Sequence, residues 1–374
     1  MKRLVLLLVI LLFIGGALWI ISDLLRPYRG YSGNEVVVVE PGLGIVQVTD
    51  LLAARGVLRH RLPFLVLCWA GSRRRPLRAG EYLFDRPLRP IDVYRKLIHG
   101  DVYLHTVVIP EGSDSFDIAR ILHQRLGIDP AQFLDVVRET SAIRDLDSNA
   151  PSLEGYLFPD TYRFPRGTSA GTVVIAMLGR FRHILSARFA GDLPSTPAGL
   201  HEVMTLASLV EKETPELSER SRVAGVFARR LERGIPLQCD PTVIYAARVD
   251  RQPAGPITQE DLQRDSPYNT YRHAGLPPGP ISNPGEASIR AALHPADDDA
   301  LYFVANHHGG HVFARTLAEH QHNVARYRRE LAKLRRSEQG PAGGKAKLPA
   351  GEASKSAART RKSAGKTHQE ADHP

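Results

Sequence analysis

The chain has 374 residues, 43% of them hydrophobic and 24% charged, with a net charge of +9; that length is enough for two or three domains with a real core. Residues 337–374 carry seven Lys/Arg against four Asp/Glu, hence +3 of the +9; the mildly basic remainder excludes nucleic acid as an expected partner and suits an anionic membrane surface or an acidic polymer. Two cysteines, Cys68 and Cys239, with no C-x-x-C spacing exclude a disulfide framework and a cysteine metal site, leaving one bridge or two buried thiols open.

The first element is a membrane anchor. No charged residue occurs from Leu4 to Ile21, and eighteen residues at the helical rise cover roughly 27 Å, about one hydrocarbon core. Lys2 and Arg3 precede the run, which favours a cytoplasmic N-terminus. "ISDLLRPYRG" offers no small-residue cleavage site, so an uncleaved anchor is expected, with the bulk of the chain outside the cytoplasm.

Two similar stretches follow, "VVVVEPGLGIVQVTDLLAARGVL" (36–58) and "TVVIPEGSDSFDIARILHQRLGI" (106–128). Each has a β-branched run, a Pro- and Gly-containing turn, then an amphipathic helical pattern. Between them a basic loop, "SRRRPLRAG", leads to a predicted strand at 81–84. Residues 130–150 read as a helix and a polar loop, and "LEGYLFPDTYRFPRG" (153–167) as an aromatic turn segment. Helices are predicted at 171–190 and 199–213. Thr214-Pro215 reads as the N-cap and first position of a helix running to Arg233, with Gly234 as its stop. Residues 265–285 are loop-like, 301–304 and 311–313 are strands around a Gly-Gly turn, and 315–336 form the last helix. From 337 on, Lys, Ala, Gly and Ser dominate, predicting a disordered basic tail.

The stretch "LASLVEKET" (206–214) places two carboxylates beside apolar residues. On a helical wheel Val203, Leu206, Ala207 and Val210 form one face, with Glu211 at one edge and Glu213 at the other. Periodicity leans towards Glu211 as the more enclosed and does not decide between them. Apolar surroundings raise a carboxyl pKa, and a Glu protonated near neutral pH can serve as a general acid. An ion pair with one of the many arginines is the competing reading.

"EGYLFPDTY", "LASLVEKET", "LQCDPTVIY", "SPYNTY" and "GLPPGPISNPG", in this order, with "GGHVF" and the anchor, resemble the endolytic murein transglycosylase (YceG-like) family over residues 1–330. The resemblance implies an α+β fold: a membrane anchor (1–29), small LysM-like glycan-binding βα subdomains (30–150) and a mixed α+β YceG-like catalytic domain (151–336), followed by the tail (337–374). It implies a lyase of the inner membrane, single-pass and facing the periplasm, that cuts within peptidoglycan glycan strands between MurNAc and GlcNAc, with peptidoglycan synthases as partners and no cofactor. The family's catalytic glutamate is matched to the first Glu of VEKET, Glu211.

Such a lyase needs one carboxyl group. It protonates the glycosidic oxygen, then accepts the proton of the MurNAc C6 hydroxyl as that oxygen closes a 1,6-anhydro ring. A glycosidase that adds water usually needs a second carboxylate, for which Asp240, Glu213 and Asp160 are the candidates. The resemblance sets Asp240, Thr242, Tyr245, Asn269, Thr270 and Tyr271 around the catalytic glutamate as the expected substrate-binding residues; the amide, hydroxyl and phenol groups of Asn269, Thr270 and Tyr271 suit acetamido and hydroxyl partners, while Thr242 and Tyr245 line a cleft or pack. His307, His308, His311, His320 and His322 have no standard metal spacing, so no metal is expected. A glycan-binding anchor without catalysis and a hydrolytic muramidase are the alternatives.

Overall fold

The computed structural model describes residues 2–72, 76–252 and 255–338. Helix α1 (Lys2–Leu25) is apolar and unburied along its length, with a mean hydropathy of 3.1 over its span window, long enough to cross a membrane. The basic run 73–75 and the expected disordered tail beyond Glu338 lie outside the described residues; residues 337 and 338 close the last helix.

Strand β1 (Glu35–Val39), helices α2 (Ile45–Ala54) and α3 (Arg61–Ser72) and strand β2 (Gly80–Phe84) make a strand–helix–helix–strand unit, with β1 and β2 antiparallel and Val37 opposite Tyr82. Helix α4 (Pro90–His99) completes its core around Val37, Leu52, Phe64, Phe84 and Leu97. The same order then repeats. Strand β3 (Leu104–Val108), helices α5 (Ser115–Leu126) and α6 (Pro130–Arg138) and strand β4 (Thr161–Pro165) end in an antiparallel pair with Thr106 opposite Arg163. Gly42 and Gly112, at matching positions of the two strand-to-helix turns, both hold left-handed φ values of +88° and +72°, which glycine adopts without a Cβ clash. Strands β3 and β4 pair across the expected boundary at 150, and this second unit shares the large core rather than the first unit's.

That large core is helical. Helix α7 (Ala170–Arg188) precedes α8 (Pro197–Glu213), which packs against α9 (Arg220–Glu232) and α12 (Glu286–Leu293). Residues 204–210 of α8 are buried on every side, so the helix runs through the interior rather than along one face of it. Thr214 corrects the sequence reading: it is the extended residue that closes α8, its N–H donating to Val210 O at 3.3 Å. A short 3₁₀ turn at Leu217–Glu219 follows, and α9 begins at Arg220. Helices α10 (Asp240–Val249) and α11 (Gln259–Gln263), the hairpin of β5 (Tyr302–Ala305) and β6 (His311–Ala314), and α13 (Leu317–Glu338) complete the chain. The first compact unit ends at Val324; the described part of the second is the remainder of α13.

Candidate active site

Glu211 and Glu213 stand on the last turn of α8, about 200° apart around its axis at 100° per residue. They therefore enter different surroundings. Arg220, first residue of α9, faces Glu211 with both terminal nitrogens: Nη2 donates to Oε1 at 3.0 Å and Nη1 to Oε2 at 3.1 Å. The Gly285 N–H adds a third donor to Oε2 at 3.0 Å. The two side chains are 5% and 6% exposed, and Arg220 is braced by Ser288 Oγ at 3.0 Å. Glu111 lies 3.9 Å from the same guanidinium; burial and the Glu211 charge raise its pKa.

Glu211, the expected acid, is thus held in an ion pair, the competing reading of this stretch. A bidentate guanidinium and a backbone N–H occupy its oxygens as acceptors. It does not line the cavities of about 120, 230, 620 and 700 Å³.

Glu213 is placed otherwise. It lines a cavity of about 230 Å³ between α9, the start of α10, the 268–272 loop and β5, together with Arg230, Gln238, Asp240, Tyr271, Tyr302 and His320 over a floor that includes Phe227, Leu237 and Phe303. Burial raises its pKa; the Cys239 thiol, donating to Oε2 at 3.3 Å, and the nearby His311 oppose that rise, and the Asp240 charge adds to it. Desolvation is the dominant cause, the circumstance that keeps a carboxyl group protonated above its ordinary range. Cys239 itself is buried and free, its thiol pushed well up by burial and then by the Glu213 charge. Cys68 sits in the first unit's core, its pKa pushed up to about 12 by burial. The two cysteines are free thiols.

Of the six expected substrate-binding residues, Asp240 and Tyr271 line this cavity. The Tyr271 hydroxyl donates to Asp240 Oδ1 at 2.5 Å. The other four do not face it, and each has an internal task. Thr242 Oγ1 donates to Cys239 O at 2.6 Å and lies 2.9 Å from Thr270 Oγ1, which accepts the Cys239 N–H at 3.0 Å. These two threonines stitch the start of α10 to the 268–272 loop. Asn269 spends its amide on the carbonyls of Leu262 and Arg264, at 3.1 and 2.8 Å, at the end of α11. Tyr245 donates to Glu154 Oε2 at 3.2 Å in the interior. Asp160, the remaining carboxylate candidate, accepts from Arg180 Nε at 2.6 Å away from this cavity.

Glu154 is a hub for the quoted motifs. It accepts from the Ser115 N–H at 2.9 Å, Asn283 Nδ2 at 2.7 Å and Tyr245, so "EGYLFPDTY", α5, "CDPTVIY" and "ISNPG" meet at one carboxyl. Burial and the Asp114 charge raise its pKa to about 7.

Three residues of the cavity carried no role in the sequence reading. Gln238 has φ +53° without being glycine, a conformation that costs of order 1 kcal/mol or more and tends to mark functional sites; its place between Leu237 and Cys239 gave no signal of this. Arg230 lies behind the cavity, its Nη1 donating to Leu237 O at 2.6 Å and its Cζ 5.2 Å from the Tyr302 ring centroid, with an Nε that has no hydrogen-bond partner among the described residues. His320 stacks on Tyr302 at 5.2 Å, its pKa lowered by burial. Of the histidines weighed against a metal, His311 instead engages Glu219 through Nδ1 at 2.8 Å.

Larger cavities of about 620 and 700 Å³ flank α10. Their ionic centre is Arg248, which holds Asp114 and Asp117 as partners. Asp114, whose pKa burial also raises, lines the larger of them but is paired with Arg248; the smaller cavity sets the raised-pKa carboxyl of Glu213 against a neutral thiol and polar side chains, the arrangement that suits a general acid.

The sequence profile of the YceG-like family matches residues 37–326. An endolytic murein transglycosylase of Bacillus subtilis is 32% identical over 334 residues, covering 84% of this chain and 91% of the relative. One from Streptococcus pneumoniae is 30% identical, covering 82% of this chain and 61% of the relative. The crystal structure of a YceG-like protein from Listeria monocytogenes aligns with a TM-score of 0.53 at 31% identity, covering 78% of this chain and 99% of that one. With its profile matched across most of the folded chain, the protein belongs to the YceG-like family.

Proposed function

We propose that this protein is a membrane-anchored lytic transglycosylase that cuts within peptidoglycan glycan strands, with Glu213 as its acid and then its base. The observation that carries the assignment is Glu213 itself: a carboxyl with a burial-raised pKa in a polar cavity, on a chain whose relatives are named endolytic murein transglycosylases. Protonated Glu213 gives its proton to the oxygen joining MurNAc C1 to GlcNAc, and the C1–O bond breaks. The carboxylate then takes the proton of the MurNAc C6 hydroxyl while O6 bonds to C1. No water is consumed, the product ends in 1,6-anhydro-MurNAc, and Glu213 returns protonated. Asp240, Tyr271 and Gln238 supply polar contacts to the sugars, and Arg230 a cation for the lactyl-linked acidic portion of MurNAc.

Helix α1 anchors the chain in the inner membrane with its N-terminus cytoplasmic and the rest periplasmic; its length and hydropathy support this. The two strand–helix–helix–strand units serve as LysM-like glycan holders, and peptidoglycan synthases are the expected partners.

The second reading is a muramidase, favoured by Asp240 sharing the cavity with Glu213. Digesting purified glycan strands with the full chain and weighing the fragments decides between them. Anhydro ends support the lyase, ends heavier by one water support the muramidase, and uncut strands leave a glycan-binding anchor. Glu213→Gln abolishes anhydro products while the variant stays folded; full activity in that variant overturns the assignment.

A further inference from the structure

Helix α3 is apolar around its whole circumference: after Arg61 its sequence is LPFLVLCWAGS, with no charge. A helix of this kind is normally covered on all sides. Here Phe64 and Cys68 enter the first unit's core, while Leu62, Val66 and Trp69 remain 52%, 37% and 57% exposed. Their spacing, i, i+4 and i+7, puts them on one stripe.

The start of this helix is tied to the outer end of the anchor. His60 Nδ1 lies 2.8 Å from Asp23 Oδ1, and the His60 ring is 5.3 Å from the Trp19 ring. Asp23 follows the last residue of the charge-free span by two positions, so α3 begins where the hydrocarbon gives way to headgroups. Exposed Arg26 and Arg59 line the same junction with Trp19, Asp23 and His60, the sign that meets anionic headgroups. Both tryptophans of the chain, Trp19 and Trp69, belong to this region, and tryptophan favours the membrane–water boundary.

We propose that α3 is an interfacial helix whose Leu62–Val66–Trp69 stripe enters the bilayer spanned by α1, seating the first unit on the membrane surface. The occupant is a lipid bilayer because the stripe lies on a helix that packs against the anchor and starts beside exposed cations, as in helices that lie in the headgroup–acyl boundary. The proposal rests on the anchor reading of α1 and goes beyond it: an anchor alone leaves the stripe in water.

The two tryptophans allow a test that separates the two readings. Full-length Trp19→Phe and Trp69→Phe variants are reconstituted into phosphatidylcholine–phosphatidylglycerol vesicles, with and without acyl chains brominated near the headgroup. In Trp19→Phe, Trp69 emission falls at least twofold in brominated lipid and resists aqueous iodide, and adding Leu62→Ser and Val66→Ser removes that lipid quenching. Should Trp19 be quenched by brominated lipid while Trp69 responds only to iodide, α3 lies in water and the proposal fails with the anchor intact. Shielding of Trp69 from both quenchers means a protein covers the stripe and also overturns it. If neither tryptophan is lipid-quenched, the anchor reading fails with it.

Discussion

The Cys239 thiol donates to Glu213 Oε2 across 3.3 Å, a neutral donor set against the carboxyl that the proposed mechanism uses. Burial keeps the thiol protonated, and a donor to a carboxylate favours its charged form. Cys239 is thus a positioning residue that lowers the Glu213 pKa from where burial alone would put it. The activity of a general acid declines about tenfold per pH unit above its pKa. Cys239→Ala should move the declining limb of kcat/KM to higher pH, and Cys239→Ser, which keeps a donor, should move it less. A uniform loss at every pH would show that the thiol only packs.

Asp240 acts on the same limb with the opposite sign. Its charge raises the Glu213 pKa, so Asp240→Asn should draw the declining limb towards acid. The Tyr271 hydroxyl loses its carboxylate partner in that variant, and KM should rise as the side chain is released. Tyr271→Phe should raise KM with little movement of the limb. A shifted limb in Tyr271→Phe would transfer the charge effect from Asp240 to the phenol.

Glu211 and Arg220 make a prediction about stability rather than chemistry. Removing one partner of a buried, bidentate pair leaves an uncompensated charge and costs about 3–5 kcal/mol. Glu211→Ala should therefore lower the urea midpoint steeply, while Glu211→Leu combined with Arg220→Met should recover much of the loss. The molecules that remain folded should still produce anhydro ends. A well-folded Glu211→Gln that makes no product would return the acid role to this residue.

Much of the fold is legible where the signal is local. The strand–turn–helix repeats announce themselves through β-branched runs and the glycines at 42 and 112, and the Gly-Gly hairpin near 310 through its turn. Helix α3 carries no period because it is apolar all round, and β4 was hidden in an aromatic turn segment whose pairing partner lies more than fifty residues away. One relationship at the site is not legible in the sequence, for a physical reason. Two glutamates separated by one residue occupy opposite sides of a helix, and no wheel reveals which side meets an arginine and which a cavity. Arg220 and Cys239 decide it, and both arrive from distant parts of the chain or after a turn. Asn269, Thr242 and Thr270 illustrate a second limit: a polar loop residue reads alike whether its partner is a ligand or the protein's own backbone.

Glu154 supplies a pH dependence of folding with a definite sign. Its pKa rises from 4.5 to about 7 in the native protein, chiefly by burial and then by the Asp114 charge. The folded chain therefore holds this proton more tightly than the unfolded one. The stabilisation is fully present below the ordinary glutamate range and is lost as pH climbs through about 7. At 1.36 kcal/mol per unit, the loss amounts to about 3 kcal/mol. Asp117 and Glu81, whose pKa values are lowered by Arg248 and by His105 and Arg166 respectively, contribute in the opposite sense at lower pH, so the comparison has to be made against a variant. Glu154→Gln retains an oxygen for Asn283 and cannot ionise. Between pH 5 and pH 8 its urea midpoint should fall less than that of the parent. Parallel curves would mean that Glu154 is already charged at pH 5, and that the hub joining α5, α10 and the 281–285 loop is held by a carboxylate rather than by an acid.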